Sequence, residues 1–284
     1  MKFLKYFFGA NTAILVIALL TTTHFTSCIK SLSDTVSVHD TITITDTVTD
    51  TLCHFNEGLV AFYPFTNGSL ADESGNGNDI VSNSAVVTSD RNGVSNNAYL
   101  FDGSTSFMRV ANSTSLSPTH AISIVAVVKP NDFYRGTCHH NEILSKGSPD
   151  PVQGFYTMRI TDPFGHCYDP ADTTKEFFIG GYGDNIPQGA SAGIAGDTSY
   201  VHAGNWYTAV YTYDGHESKI YVNGILVGIQ QKTVPFTPNN QDLFIGRHED
   251  DAYPYFFNGV IDEIRIYDRA LCECEVTKIG SVIK

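Results

Sequence analysis

A chain of 284 residues with 42% hydrophobic side chains, 24 glycines and only 17% charged residues has material for a sizeable core and for many tight turns. Its formal charge of −13 argues against nucleic acid as a partner, because phosphate binding needs clustered Lys and Arg and no such cluster occurs. An acidic surface of this kind suits neutral sugars or calcium.

Lys2 and Lys5 precede a mostly apolar stretch from Phe7 to Leu20, which is the pattern of an export signal and too short for a membrane span. The stretch Phe25-Thr26-Ser27-Cys28 resembles the lipobox of bacterial lipoproteins, whose cysteine is acylated and becomes the first residue. The resemblance implies a signal peptide over 1–28 and a lipid on Cys28. It also implies an outer membrane-anchored lipoprotein of a Gram-negative bacterium, on the periplasmic or the cell-surface side. An ordinary cleaved signal that contains a cysteine is the competing reading.

Residues 29–56 are rich in Thr and Asp, and Asp-Thr-aliphatic triplets begin at Asp34, Asp40, Asp46 and Asp50. With few large apolar groups the segment cannot build a core, and a solvated tether is expected. Fully extended it reaches on the order of 90 Å.

From Gly58 onward, short alternating runs are separated by turn chemistry, from "LVAFYPF" through "AYLFDG", "SFMRVA", "AISIVAVVKP", "NEILSKG", "GFYTMRIT" and "EFFIGGYG". The series continues with "NWYTAVYTY", "KIYVNGILVGIQ", "DLFIGRH" and "GVIDEIRIYDRAL". Asn223-Gly224 is a strong hairpin signal, since that pair accepts the positive φ angles of a type I′ turn. "CECEVTKIG" has room for one short terminal helix. The pattern predicts an all-β antiparallel β-sandwich over residues 57–284.

Beyond Cys28 the cysteines are Cys53, Cys138, Cys167, Cys272 and Cys274, an odd number suited to an exported chain with one thiol left over. Cys138 and Cys167 lie in polar, loop-like surroundings and are expected to pair. Cys53 precedes the first strand, and Cys272 and Cys274 follow the last. If the two ends meet, Cys53 bridges one of them. A zinc site of Cys53, His54, Cys272 and Cys274 lacks the usual knuckle spacing.

Taken in order, "GLVAFYPFTNGSLADESGNGND", "AYLFDGSTSFMRV", "AISIVAVVKP", "GNWYTAVYTYDGHESKIYVNGILVG", "DLFIGRHE" and "FNGVIDEIRIYDRALCECEV" resemble the laminin-G-like (LamG-like) jelly roll of the concanavalin A-like lectin/glucanase superfamily. The resemblance implies a jelly roll with its last strand against its first, which brings the ends together and favours the Cys53 bridge. It also implies one structural calcium ion held by acidic, amide and carbonyl oxygens. It does not decide activity, because the superfamily hosts lectins, adhesive modules and glycosidases alike.

In "GVIDEIRIYDRAL" strand alternation places Val260, Asp262, Ile264 and Ile266 on one face, and Ile261, Glu263, Arg265 and Tyr267 on the other. Asp262 and Glu263 then diverge and cannot flank one glycosidic bond as an acid pair. Glu263 and Arg265 are expected to form an ion pair. Asp262 on an apolar face needs donors or a cation. Either it accepts N–H bonds from the "DESGNGND" turn, or it joins Asp72, Asn76 and turn carbonyls around calcium.

"GRHEDDAYPYFFNG" is the most unusual loop, and His248, Asp250, Asp251, Tyr253 and Tyr255 are its candidates for ligand binding, with Tyr182 of "GGYGDN" on a second edge. Aromatic faces take sugar C–H groups, and acids or amides take hydroxyls. The competing reading has Phe256 and Phe257 plugging the sandwich while the acids face water. Trp206 is expected in the core. No nucleophile elbow, P-loop, dinucleotide fingerprint or HExxH occurs. The sequence therefore reads as a non-catalytic recognition module for a glycan or a surface protein, anchored to the membrane by lipid. A polysaccharide hydrolase and a purely structural envelope protein are the alternatives.

Overall fold

The computed structural model describes residues 53–134, 140–147, 156–161, 176–180 (backbone only), 201–231 and 238–281. The chain divides into two compact units, Met1–Cys53 and His54–Lys284, and the second carries the strands. They begin with β1 (Leu59–Tyr63), β2 (Ile80–Asn83), β3 (Val86–Thr88), β4 (Ala98–Asp102), β5 (Met108–Val110), β6 (Ile122–Pro130) and β7 (Asn141–Lys146). β8 (Tyr156–Thr161), β9 (Glu176–Gly180), β10 (Tyr207–Tyr213), β11 (Glu217–Val222), β12 (Ile225–Gln231), β13 (Leu243–Ile245) and β14 (Asn258–Tyr267) follow, and α1 (Glu273–Gly280) closes the series.

Two antiparallel sheets result, as the alternating runs require. One has eight strands, ordered β12-β11-β10-β6-β14-β4-β3 with β1 also on β14; the other has six, ordered β2-β5-β13-β7-β8-β9. The first and last strands pair, Tyr63 opposite Ile264 and Leu59 opposite Tyr267, as the family resemblance implied. The main core lies between the sheets. Along β6 it takes Ile122, Ile124, Ala126 and Val128, every second residue, which is strand periodicity at work. Asn223 and Gly224 take φ of 52° and 78° in the expected hairpin between β11 and β12. Trp206 departs from expectation: it is half-buried ahead of β10, with Lys129 Nζ 5.3 Å from its ring. An indole at a strand entrance keeps one face toward solvent and a cation.

A second, smaller core forms on the outer face of the eight-stranded sheet. There α1 sets Val276 and Ile279 against Val125, Val210, Tyr221, Tyr267 and Leu271. The helix start is tied down by Glu275, which accepts from the Cys272 N–H at 2.9 Å and from both terminal nitrogens of Arg269 at 2.7 and 2.8 Å. The Cys272 sulfur lies 2.7 Å from that of Cys274, a contact too long to be a disulfide between the two. The bridge expected from Cys53 to Cys272 or Cys274 is not formed, while Cys28, Cys138 and Cys167 lie outside the described residues.

The alternation expected for the last strand breaks at a bulge. Ile261 opposes Val128 and Glu263 opposes the adjacent Val127, so Asp262 is the extra residue. One added residue inverts the parity on either side of it. Ile261, Ile264 and Ile266 all enter the main core. Asp262 and Glu263 do not diverge, because both meet Arg91, at 3.4 and 3.6 Å.

Candidate ligand-binding site

The outer face of the six-stranded sheet carries an aromatic floor. β13 points Leu243 and Ile245 inward, which leaves Phe244 facing out beside Phe107, with ring centroids 6.1 Å apart. Over this floor opens a cleft of about 470 Å³ lined by Asn240, Gln241, Asp242, Phe244, Glu249 and Asp250. Its walls come from the segment before β13 and from the loop after it.

Two cations fix the first wall. Lys146, at the end of β7 opposite Leu243, is fully buried. Its ammonium donates to Asn112 Oδ1 at 2.9 Å, Asn239 Oδ1 at 2.8 Å, Asn239 O at 3.3 Å and Gln241 O at 2.7 Å. Burial lowers its pKa to about 8, against the pull of Asp242 and Glu249. Arg109 on β5 holds Asp242 through a 2.6 Å ion pair, and the Asn112 N–H donates to the other carboxylate oxygen at 2.8 Å. Burial pushes the Asp242 pKa up, but these donors outweigh it and hold the carboxyl below its usual value. Glu249 moves the other way: burial raises its pKa, opposed by Lys146 and reinforced by Asp250 and Asp242.

Arg247 organises the second wall. Its guanidinium lies 5.2, 5.5 and 5.3 Å from the ring centroids of Phe107, Phe244 and Phe256. It donates to His248 O at 2.6 Å and to Asp251 Oδ1 at 2.6 Å. Asp250, in the turn beyond, accepts from the Ala252 N–H at 2.8 Å and reaches the cleft. Tyr253, 51% exposed, stacks on Tyr255 with centroids 6.0 Å apart, and Tyr134, 39% exposed, meets Tyr255 edge-on at 6.3 Å. Tyr255 takes φ of 43°, a left-handed conformation that a bulky residue rarely adopts. It is held there by the Glu142 N–H, which donates to Tyr255 O at 2.9 Å.

Of the residues singled out in the sequence, Asp250 lines the cleft, and Tyr253 and Tyr255 form a tyrosine shelf on the same loop. His248 is buried behind the shelf, 6.2 Å from Tyr255, and burial lowers its pKa. Asp251 is 94% exposed at its side chain and serves Arg247. Phe257 is buried against Phe101, the plugging role foreseen for it. Tyr182 lies outside the described residues. Asn240, Gln241, Asp242, Phe244 and Glu249 were missed, although the amide-rich "NNQD" before an apolar strand was the available signal.

The calcium set is not assembled as expected. Asp72 accepts four donors: the N–H groups of Phe62, Ser74 and Asn78 at 2.9, 2.9 and 3.0 Å, and the Ser74 hydroxyl at 2.8 Å. Asn76 turns its amide nitrogen to Leu59 O at 2.8 Å. Asp262 is engaged by a different turn, through the Arg91 N–H at 3.3 Å and its guanidinium. Carboxylate oxygens surrounded by N–H and O–H donors do not fit a cation, which meets oxygens and not protons. Among the described residues no group of three His, Cys, Asp or Glu side chains is placed to hold a metal ion, and no helix is long and apolar enough to cross a membrane.

Similar architectures recur among solved structures. Domain 4 of AbnA, a GH43 extracellular arabinanase from Geobacillus stearothermophilus solved with arabinotriose, is 22% identical, with a TM-score of 0.51, over 78% of this chain and 98% of that one. The binding domain of Paraclostridial Mosquitocidal Protein 1 is 15% identical with a TM-score of 0.60, over 81% of this chain and 53% of that one. The receptor binding domain of botulinum neurotoxin D is 13% identical with a TM-score of 0.53, over 81% and 54%. The chain thus spans about half the length of these toxin domains. At these identities the likeness is one of fold. No curated protein matches the chain in sequence. The family model described as the concanavalin A-like lectin/glucanases superfamily matches residues 102–277, more than half of the chain, and the chain belongs to that superfamily.

Proposed function

We propose that this domain is a non-catalytic recognition module whose cleft beside β13 binds a glycan. The observation that supports it is the composition of the cleft, an outward Phe244 ring surrounded by Asn240, Gln241, Asp242, Glu249 and Asp250. A sugar offers C–H groups to an aromatic face and hydroxyls to amides and carboxylates, and ligand clefts run to about 300–1,000 Å³. Tyr253 on the same loop, and Tyr134 from the connection after β6, which meets Tyr255 edge-on, extend the aromatic surface. Lipid on Cys28 and the Thr- and Asp-rich tether would hold the module at the outer membrane of a Gram-negative cell. Calcium has no part in this reading, since Asp72 is already saturated with donors.

The three acids in one cleft also favour a second reading, glycoside hydrolysis, in which carboxyls with pKa values pushed apart share the work. One experiment separates them: calorimetric titration of the full chain in detergent against soluble neutral polysaccharides, arabinan first, with a reducing-sugar assay on the same samples. Saturable binding without sugar release is expected. Sugar release would convert the reading to a hydrolase, and no binding to any glycan would move it to a surface-protein partner or a structural role.

A further inference from the structure

We infer that the cleft selects glycans without carboxylate or sulfate groups and turns acidic ones away; this rests on the glycan-binding reading above. Among the described residues the lining holds Asp242, Glu249 and Asp250 and no Lys or Arg. The cations nearby point elsewhere. Arg109 is committed to Asp242, and Lys146 is sealed beneath the cleft with its ammonium against the oxygens of Asn112, Asn239 and Gln241. Arg247 is spent on the carbonyls of His248 and Glu249, the Asp251 carboxylate and three aromatic rings. A ligand entering this space meets carboxylate oxygens and the amides of Asn240 and Gln241.

Hydroxyl donors satisfy carboxylate oxygens at no charge cost, whereas an anionic sugar meets like charge with no cation among the described lining residues to compensate it. Like-charge juxtaposition at an interface is strongly disfavoured. The raised pKa of Glu249 agrees with this, since burial and its acidic neighbours already crowd negative charge there. The formal charge of −13 on the whole chain adds a long-range field of the same sign.

The test takes the neutral polysaccharide that binds the full chain and compares it with the same polymer after oxidation of its primary hydroxyls to carboxylates. Polygalacturonate and a sulfated glycan serve as independent acidic probes. The oxidised polymer should bind at least about tenfold more weakly, and raising the salt should recover part of its binding while leaving the neutral polymer unaffected. The Glu249→Gln/Asp250→Asn double variant, checked by its melting curve, should narrow the gap between the two polymers. If the variant does not fold, the salt series on the wild-type chain still decides. Acidic polymers binding as tightly as neutral ones would overturn this selectivity and leave glycan binding standing. Binding to no polymer of either class would overturn both.

Discussion

Arg91 grips Asp262 through two atoms: its Nε lies 3.4 Å from Asp262 Oδ2, and its backbone N–H donates to the same oxygen at 3.3 Å. The turn that carries Arg91 is held by Asp90, whose carboxylate accepts from the N–H groups of Asn92 and Val94 at 2.8 Å each. Glu263 meets the same guanidinium at 3.6 Å and Arg265 at 2.7 Å. The two adjacent acids of the last strand are thus taken up by an ion-pair network on the outer face of the sheet.

Burial pushes the Asp262 carboxyl up to about 6, in spite of Arg91. A folded-state pKa above the ordinary 3.8 means that the folded protein holds this proton more tightly than the unfolded one. The stabilisation is therefore present below the unfolded pKa and is lost as pH rises through the folded one. Asp262→Asn carries no ionisable group. Its stability relative to wild type should rise between about pH 4.5 and about pH 7.5, read by urea unfolding at both. A gap that moves the other way would mean that Arg91 outweighs burial.

Lys146→Met keeps much of the side-chain length and deletes the hydrogen bonds that hold Asn112, Asn239 and Gln241. The orphaned carbonyls should cost about 2–4 kcal/mol in chemical denaturation. Glycan affinity should fall as well, because the wall formed by Asn240–Asp242 hangs on that ammonium. A variant with unchanged stability would show that water replaces the ammonium at no loss.

Tyr253→Ala removes the most exposed ring of the shelf. Its stability should stay within about 0.5 kcal/mol of wild type, as for most surface positions. Affinity for the bound polysaccharide should fall by about threefold to tenfold, the worth of one aromatic–sugar face. An unchanged isotherm would confine binding to the cleft.

Gly280→Ala tests how α1 sits on the sheet. A Cβ there would stand 2.3 Å from the backbone nitrogen of Gly224, in the hairpin between β11 and β12. Neither backbone can yield without shifting the helix, so a loss of about 1–3 kcal/mol is expected in thermal or urea unfolding. Full stability would mean that the helix slides freely on the outer face.

The two-sheet sandwich was legible because it rests on local chemistry. Alternation in "AISIVAVVKP" chose the inward residues of β6, and Asn223-Gly224 wrote its own turn. The pairing of β1 with β14 followed from the order of the runs by family resemblance. The candidate site was legible only in part. Asp250, Tyr253 and Tyr255 stood out by composition, but the cleft also needs Asn240, Gln241, Asp242, Phe244 and Glu249. Their grouping depends on Lys146 and Arg109, which come from strands far away in the chain.

The sequence by itself determined which runs form strands, which residues face inward where alternation is unbroken, as in β6, and where the chain turns, since these depend on neighbours two to four positions away. The tertiary structure alone decided the partners of charged groups. A single bulge at Asp262 inverted the parity of β14 and brought two acids onto Arg91, more than 160 residues earlier in the chain. The donors that saturate Asp72 likewise come from backbone N–H groups that only the folded turn aligns. Charge pairing acts through space, and the spacing of residues along the chain carries no record of it.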